Sequence, residues 1–212
     1  MILAQPPVEI VPGSPLNLLI ILVTAALTEN ILLTRFLGMC SFLSISRQLK
    51  SAAGLGLAVV FVTTCTCLVN SLLYWYVLKP LERYGVPADS MMLILFIVVI
   101  AAFVQFLEML IERVSLGLYF ALGIFLPLIT VNCAILGACL FMINKDLRPM
   151  NATIYGFGAG LGWMLAIILM AGIRQRLAKS PIPAGLEGPG ITLIITGIMA
   201  LAFTIFQGMI KL

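Results

Sequence analysis

Long apolar runs, recurring along the whole chain with few charges between them, constrain this sequence more than any motif does. Stretches of about 18 or more apolar residues suit the hydrocarbon core of a bilayer better than the interior of a soluble domain. Only 9% of the 212 residues are charged and 62% are hydrophobic, against roughly 25% charged in a soluble globular domain. Backbone groups in lipid must be satisfied within a helix or a closed barrel, and the period-2 alternation of a barrel is missing. The chain therefore reads as an all-α integral membrane protein.

Six spans are expected, at 17–45 (interrupted), 52–78, 91–112, 118–143 (interrupted), 152–173 and 190–210. The connections are short, so residues 17–212 are expected to form a single transmembrane domain. Pro6, Pro7, Pro12 and Pro15 make residues 1–16 an extended entry segment, and no basic run at the start marks a cleaved signal peptide. Arg47, Lys50, Arg113, Arg174, Arg176 and Lys179 follow the odd spans, whereas Lys79, Arg83, Lys145, Arg148 and Lys211 lie on the other side. This slight bias toward the first set puts both termini outside the cytoplasm, by the positive-inside rule.

The two interruptions carry the polar chemistry. In the first, Thr28-Glu29-Asn30 and Arg35 break an apolar run ahead of Phe36-Leu37-Gly38-Met39-Cys40-Ser41. In the second, Gly123-Ile124-Phe125-Leu126-Pro127 leads into Thr130-Val131-Asn132-Cys133-Ala134. Each precedes a glycine-spaced helix, with Gly54 and Gly56 in one half and Gly156, Gly158 and Gly160 in the other. The correspondence points to a duplicated unit of three helices, at about 17–112 and 118–210. Because three is odd, the halves would insert with opposite orientation, as an inverted repeat whose broken helices meet near the midplane. The glycines are expected to serve close helix packing, since no strand or Walker pattern accompanies them.

Histidine is absent, which removes the commonest metal ligand and the commonest proton shuttle near neutral pH. The usual hydrolytic triads are excluded with it. The scattered basic residues form no stripe that would track nucleic acid. Of the five cysteines, Cys40 and Cys133 occupy matching places in the two halves and have donor-rich neighbours. They form a candidate half-site for an iron–sulfur cluster, which in its usual form needs four thiolates. Another chain, or Cys65, Cys67 or Cys139, would have to supply the rest. Those three lie in smooth helix, and packing as small hydrophobes is the expected role for them.

Glu29 and Glu108 are the candidates for an ion pathway, because a carboxylate within a span usually faces protein or water. Glu29 has a simpler alternative, an ion pair with Arg35 inside the broken helix. Gln105, Glu108 and Glu112 share one helical face, with Glu112 reading as an interfacial residue beside Arg113. Tyr74, Trp75, Tyr76 and Tyr84 suit an aromatic belt at the end of the second span.

The segments Phe36-Leu37-Gly38-Met39-Cys40 and Leu122-Gly123-Ile124-Phe125-Leu126-Pro127-Leu128-Ile129-Thr130-Val131-Asn132-Cys133 carry a resemblance. So do Tyr155-Gly156-Phe157-Gly158, Gly162-Trp163-Met164-Leu165 and Ala171-Gly172-Ile173-Arg174. From about residue 28 to the C-terminus the chain resembles the E-type family of membrane subunits in bacterial sodium-translocating NADH:quinone oxidoreductases. The A-type family of the Rnf ferredoxin:NAD oxidoreductases is its sister and the close alternative. The resemblance implies an inner-membrane subunit of a respiratory complex, not catalytic alone, paired with a homologous D-type subunit. It implies a [2Fe–2S] cluster shared between the two, with Cys40 and Cys133 as this chain's ligands. The cluster would relay electrons between the NADH-oxidising flavin subunit of F type and covalent flavin on the C-type subunit. The A-type and B-type subunits, the latter also with covalent flavin, would complete the complex. Glu108 falls where the family carries an acidic residue associated with sodium.

The expected mechanism couples electron relay to sodium movement. An electron added in a low-dielectric site favours a nearby cation and a shift of the broken helices. A redox-inactive secondary carrier of ions or solutes is the competing reading, since broken helices in inverted repeats also build transporters. A structural scaffold for other redox subunits is the third.

Overall fold

The computed structural model describes residues 15–46, 48–82, 88–114, 132–179 and 188–209. Among these residues every regular element is helical. The extended segment expected over 1–16 lies almost wholly outside them, as do Gly123–Pro127 and Thr130-Val131 of the second interruption.

The first span breaks where polar residues enter it. Helix α1 (Pro15–Val23) widens into a π-turn at Thr24–Thr28 and stops at Glu29. Helix α2 (Met39–Ile45) resumes after ten irregular residues. Within the break Phe36 and Gly38 both take positive φ, 55° and 82°. Asn30 makes the break tolerable in an apolar setting. It is fully buried, and its Oδ1 accepts from the N–H groups of Leu32 and Leu33 at 3.1 and 3.3 Å. Its Nδ2 donates to the carbonyls of Ala26 and Gly162 at 3.2 and 2.7 Å. A single amide thus satisfies two N–H donors and the Ala26 carbonyl at the break, and ties the break to α6 through the Gly162 carbonyl.

Helix α3 (Leu49–Leu73) continues through a second π-turn at Tyr74–Leu78 into Lys79–Glu82. Helix α4 (Ala88–Val114) follows, then α5 (Cys133–Asn144), α6 (Pro149–Leu177) and α7 (Pro189–Met209). Among the described residues three stretches are long and apolar enough to cross a membrane: Leu49–Leu81, Met91–Met109 and Pro149–Leu177. Leu18–Thr28, Cys133–Asn144 and Pro189–Ile205 are shorter apolar helices. Several helices outrun the expected spans by a few residues at each end, because helix propensity carries them past the apolar core. The chain is an integral membrane protein. Ile94, Val98 and Phe106 of α4 and Leu201 and Ile205 of α7 are more than half exposed, an apolar exterior that suits lipid rather than water.

Helix α6 is the centre of the packing, and its glycines explain why. A Cβ at Gly160 would stand 2.8 Å from Val60 Cα, and one at Gly156 would stand 2.8 Å from Cys67 Sγ. On the other face, a Cβ at Gly158 would stand 2.8 Å from the Leu22 carbonyl oxygen, and one at Gly162 only 2.5 Å from that of Ala26. Two small-residue pairs spaced by four therefore let α3 and α1 approach α6 backbone to backbone from opposite sides. Val60 meets Gly160 whereas the later Thr63 and Cys67 meet the earlier Gly156, so α3 and α6 run antiparallel. Gly54, also expected to pack, has nothing within 4 Å among the described residues.

Candidate functional site

The two cysteines singled out in the sequence sit at the starts of α2 and α5. Cys133 is the first residue of α5, and Asn132 caps that helix by accepting from Ala134 N–H through Oδ1 at 3.0 Å. Cys40 is the second residue of α2, after the left-handed Gly38. The two helix starts meet. Gly38 N–H donates to Cys133 Sγ at 3.0 Å. Asn132 Nδ2 reaches Ser41 Oγ at 3.4 Å, and Ser41 Oγ donates to the Gly38 carbonyl at 3.1 Å.

Gly38 has no room for a side chain. A Cβ there would lie 2.6 Å from Trp163 Nε1 and 3.0 Å from both Ala134 Cβ and Asn132 Oδ1. Its φ of 82° adds a second reason, since that region is strained for L side chains. Far from the break, Arg174 of α6 donates to the Leu43 carbonyl at 3.1 Å and to Ser46 Oγ at 2.7 Å. A cation at the carbonyl end of α2 satisfies groups that have no helical partner. The short helix is thereby held at both ends.

Cys40 and Cys133 are exposed although their neighbours Asn132, Ala134 and Ser41 are buried. This donor set suits half of a thiolate-ligated cluster: both cysteines are exposed at abutting helix starts, and the Cys133 sulfur already accepts a backbone N–H. All five cysteines are described, and among the described residues no three of Cys, His, Asp and Glu gather closely enough to hold one metal ion. The chain's other cysteines do not complete the set. Cys67 and Cys139 are fully buried and pair with each other, Sγ to Sγ 3.8 Å, with Asn70 Nδ2 donating to Cys139 Sγ at 3.3 Å. Cys65 is half-buried on α3.

The acidic candidates fall in separate places. Glu29 pairs with Lys145 at the end of α5, and not with Arg35, the alternative partner that the sequence offered. Arg35 instead stands over the Phe141 ring, 4.9 Å from its centroid. Glu29 ends the π-turn and Lys145 follows the last turn of α5, so the fold supplies the cation from 116 residues away. Lys145 also faces Tyr155, 5.6 Å from the ring centroid. Glu108 is half-buried on α4, with Gln105 and Glu112 exposed on either side of it. It lies 20 residues, about 30 Å of helix, beyond Ala88.

Sequence reading missed Asn30, Gly38 and Trp163 as determinants of the site. Trp163 is fully buried, and its Nε1 has no hydrogen-bond partner among the described residues. Of the aromatic residues at the end of the second span, Tyr84 lies outside the described residues, and Trp75 is held on two sides: Lys79 Nζ stands 3.7 Å above its ring, and its Nε1 donates to the Leu147 carbonyl at 3.2 Å.

Comparison with known proteins identifies the family. The chain is 51% identical over 193 residues to a protein of Marinobacter nauticus named as the E subunit of a Na(+)-translocating NADH-quinone reductase, covering 89% of this chain and 96% of the relative. Relatives of the same name from Aeromonas salmonicida and Aeromonas hydrophila are each 49% identical over 189 residues, with the same coverage. Residues 18–210 match the model of the Rnf-Nqr subunit, a membrane protein, and the chain belongs to that family.

Proposed function

We propose that this protein is the E-type membrane subunit of a sodium-translocating NADH:quinone oxidoreductase and holds half of an intramembrane [2Fe–2S] cluster through Cys40 and Cys133. One observation carries the reading: two exposed cysteines at the abutting starts of α2 and α5, one of them accepting the Gly38 N–H at 3.0 Å. A cluster completed by two thiolates of a homologous D-type partner supplies one-electron transfer inside the membrane. This chain's own part is to fix the two thiolates and to surround them with donors. Gly38 N–H bonds one sulfur, and the N-terminus of α5 directs its partial positive charge to the same place.

The remaining assignments extend that reading. Residues 17–212 form one six-helix domain after the 1–16 entry segment, built as two inverted three-helix repeats. The antiparallel pairing of α3 with α6 and the meeting of α2 with α5 support this duplication. The protein sits in the bacterial inner membrane with both termini outside the cytoplasm. It passes electrons between the NADH-oxidising F-type subunit and the covalent flavin of the C-type subunit, beside those of A and B type. Glu108 is the better candidate for cation entry, because Glu29 is neutralised by Lys145.

The test is the iron and acid-labile sulfide content of the chain alone and of the complex purified with its partners. An iron-free chain alone, and a complex that loses about two irons on Cys40→Ala, is the expected result. Unchanged iron in both Cys40→Ala and Cys133→Ala complexes would sink the assignment.

A further inference from the structure

We infer that the indole N–H of Trp163 is a positioning group for the cysteine site, setting its reduction potential from behind Gly38. This rests on the proposed thiolate-held cluster and goes beyond it by naming a donor that no ligand pattern would reveal. Trp163 is fully buried, and its Nε1 finds no acceptor among the described residues. A buried donor without a partner forfeits its hydration for nothing, so its presence asks for a physical reason. Phenylalanine would fill much of the same space without that cost.

The location supplies the reason. The space that a Cβ on Gly38 would occupy lies 2.6 Å from Trp163 Nε1, 3.0 Å from Asn132 Oδ1 and 3.0 Å from Ala134 Cβ. Asn132 and Ala134 flank Cys133, and Gly38 itself donates to Cys133 Sγ. The indole dipole is therefore packed against the loop that carries one ligand sulfur, where little water screens it. Trp163 is fully buried, it lines a small cavity with Ile31, Val59, Thr63 and Ala159, and Gly162 on the preceding position abuts the Ala26 backbone. Hydrogen-bond donors and fixed dipoles near a cluster favour its more negative, reduced form and so raise its potential. The one-electron step makes and breaks no bond in this chain.

The experiment is a redox titration of the cluster signal by electron paramagnetic resonance, in the complex purified with its partners. Two replacements are compared with wild type: Trp163→Phe, and Trp163 exchanged for 3-benzothienylalanine, which keeps the bicyclic shape but has no N–H. The expected result is a full complement of iron with the midpoint shifted to more negative values in both. An unchanged midpoint in the benzothienyl protein would overturn the inference while leaving the cluster assignment standing. Loss of iron in the benzothienyl protein would also overturn it, in favour of a purely structural role. A wild-type complex without the signal would instead remove the assignment on which the inference rests.

Discussion

Asn30 and Gly162 stand 132 residues apart in the chain and share a hydrogen bond of 2.7 Å. Through it the broken part of the first span is anchored to the middle of α6. Replacement of Asn30 by Ala removes this tie and strands the N–H groups of Leu32 and Leu33. Each buried group left unpaired costs about 1–3 kcal/mol. Asn30→Ala should therefore lower the thermal midpoint of the detergent-solubilised complex markedly. A wild-type midpoint would mean that other contacts hold the break.

The glycines of α6 give a graded prediction. Gly162→Ala places a methyl 2.5 Å from the Ala26 oxygen, a backbone atom that cannot step aside. Overpacking of that kind costs about 1–3 kcal/mol. Gly54→Ala meets nothing within 4 Å among the described residues and should be neutral or stabilising by up to ~1 kcal/mol from helix propensity alone. Unfolding of the two variants side by side checks the contrast.

Thiol labelling separates the cysteines. In the chain purified away from its partners, a small maleimide should modify Cys40 and Cys133 first, because both are exposed. Cys67 and Cys139 are fully buried against one another and should react only after unfolding. Cys67→Ala should leave the iron content of the complex unchanged, in contrast to Cys40→Ala. Early labelling of Cys139 would contradict the packing of α3 on α5.

The two acidic candidates should respond differently. Glu29→Gln breaks the pair with Lys145, whose partners are partly exposed, at a cost of about 1 kcal/mol or less. It should weaken stability slightly and leave the sodium dependence of turnover alone. Glu108→Gln should raise the sodium concentration needed for half-maximal turnover severalfold. The opposite ranking would move the cation site to the Glu29–Lys145 pair.

Much of this site was legible before any coordinates. The polar intrusions at Thr28, Glu29 and Asn30 mark the break, because an apolar helix has no use for them. Cys40 and Cys133 stand out by their matching places in the two halves, and the spacing of Gly156, Gly158, Gly160 and Gly162 announces close helix contacts. What stayed hidden is pairing across distance. Glu29 meets Lys145, 116 residues away, and local spacing offered only Arg35. Gly54 looked like its neighbours but meets no side chain among the described residues, since periodicity says which residues share a face and not what stands opposite. Trp163 read as a family motif and nothing more, because its role depends on where Gly38 folds back.

The opposed glycine tracks of α6 have a mechanical consequence. Val60 and Thr63 press on one side of that rod and Leu22 and Ala26 on the other, each through backbone atoms. Such contacts leave no slack for a side chain to absorb a displacement, and close-packed interiors transmit strain rather than dissipate it. A shift of α1 must push α6 as a rigid body and be felt by α3 on its far side. The rod works as a keel: the broken strut at its flank cannot move without the hull beside it moving too.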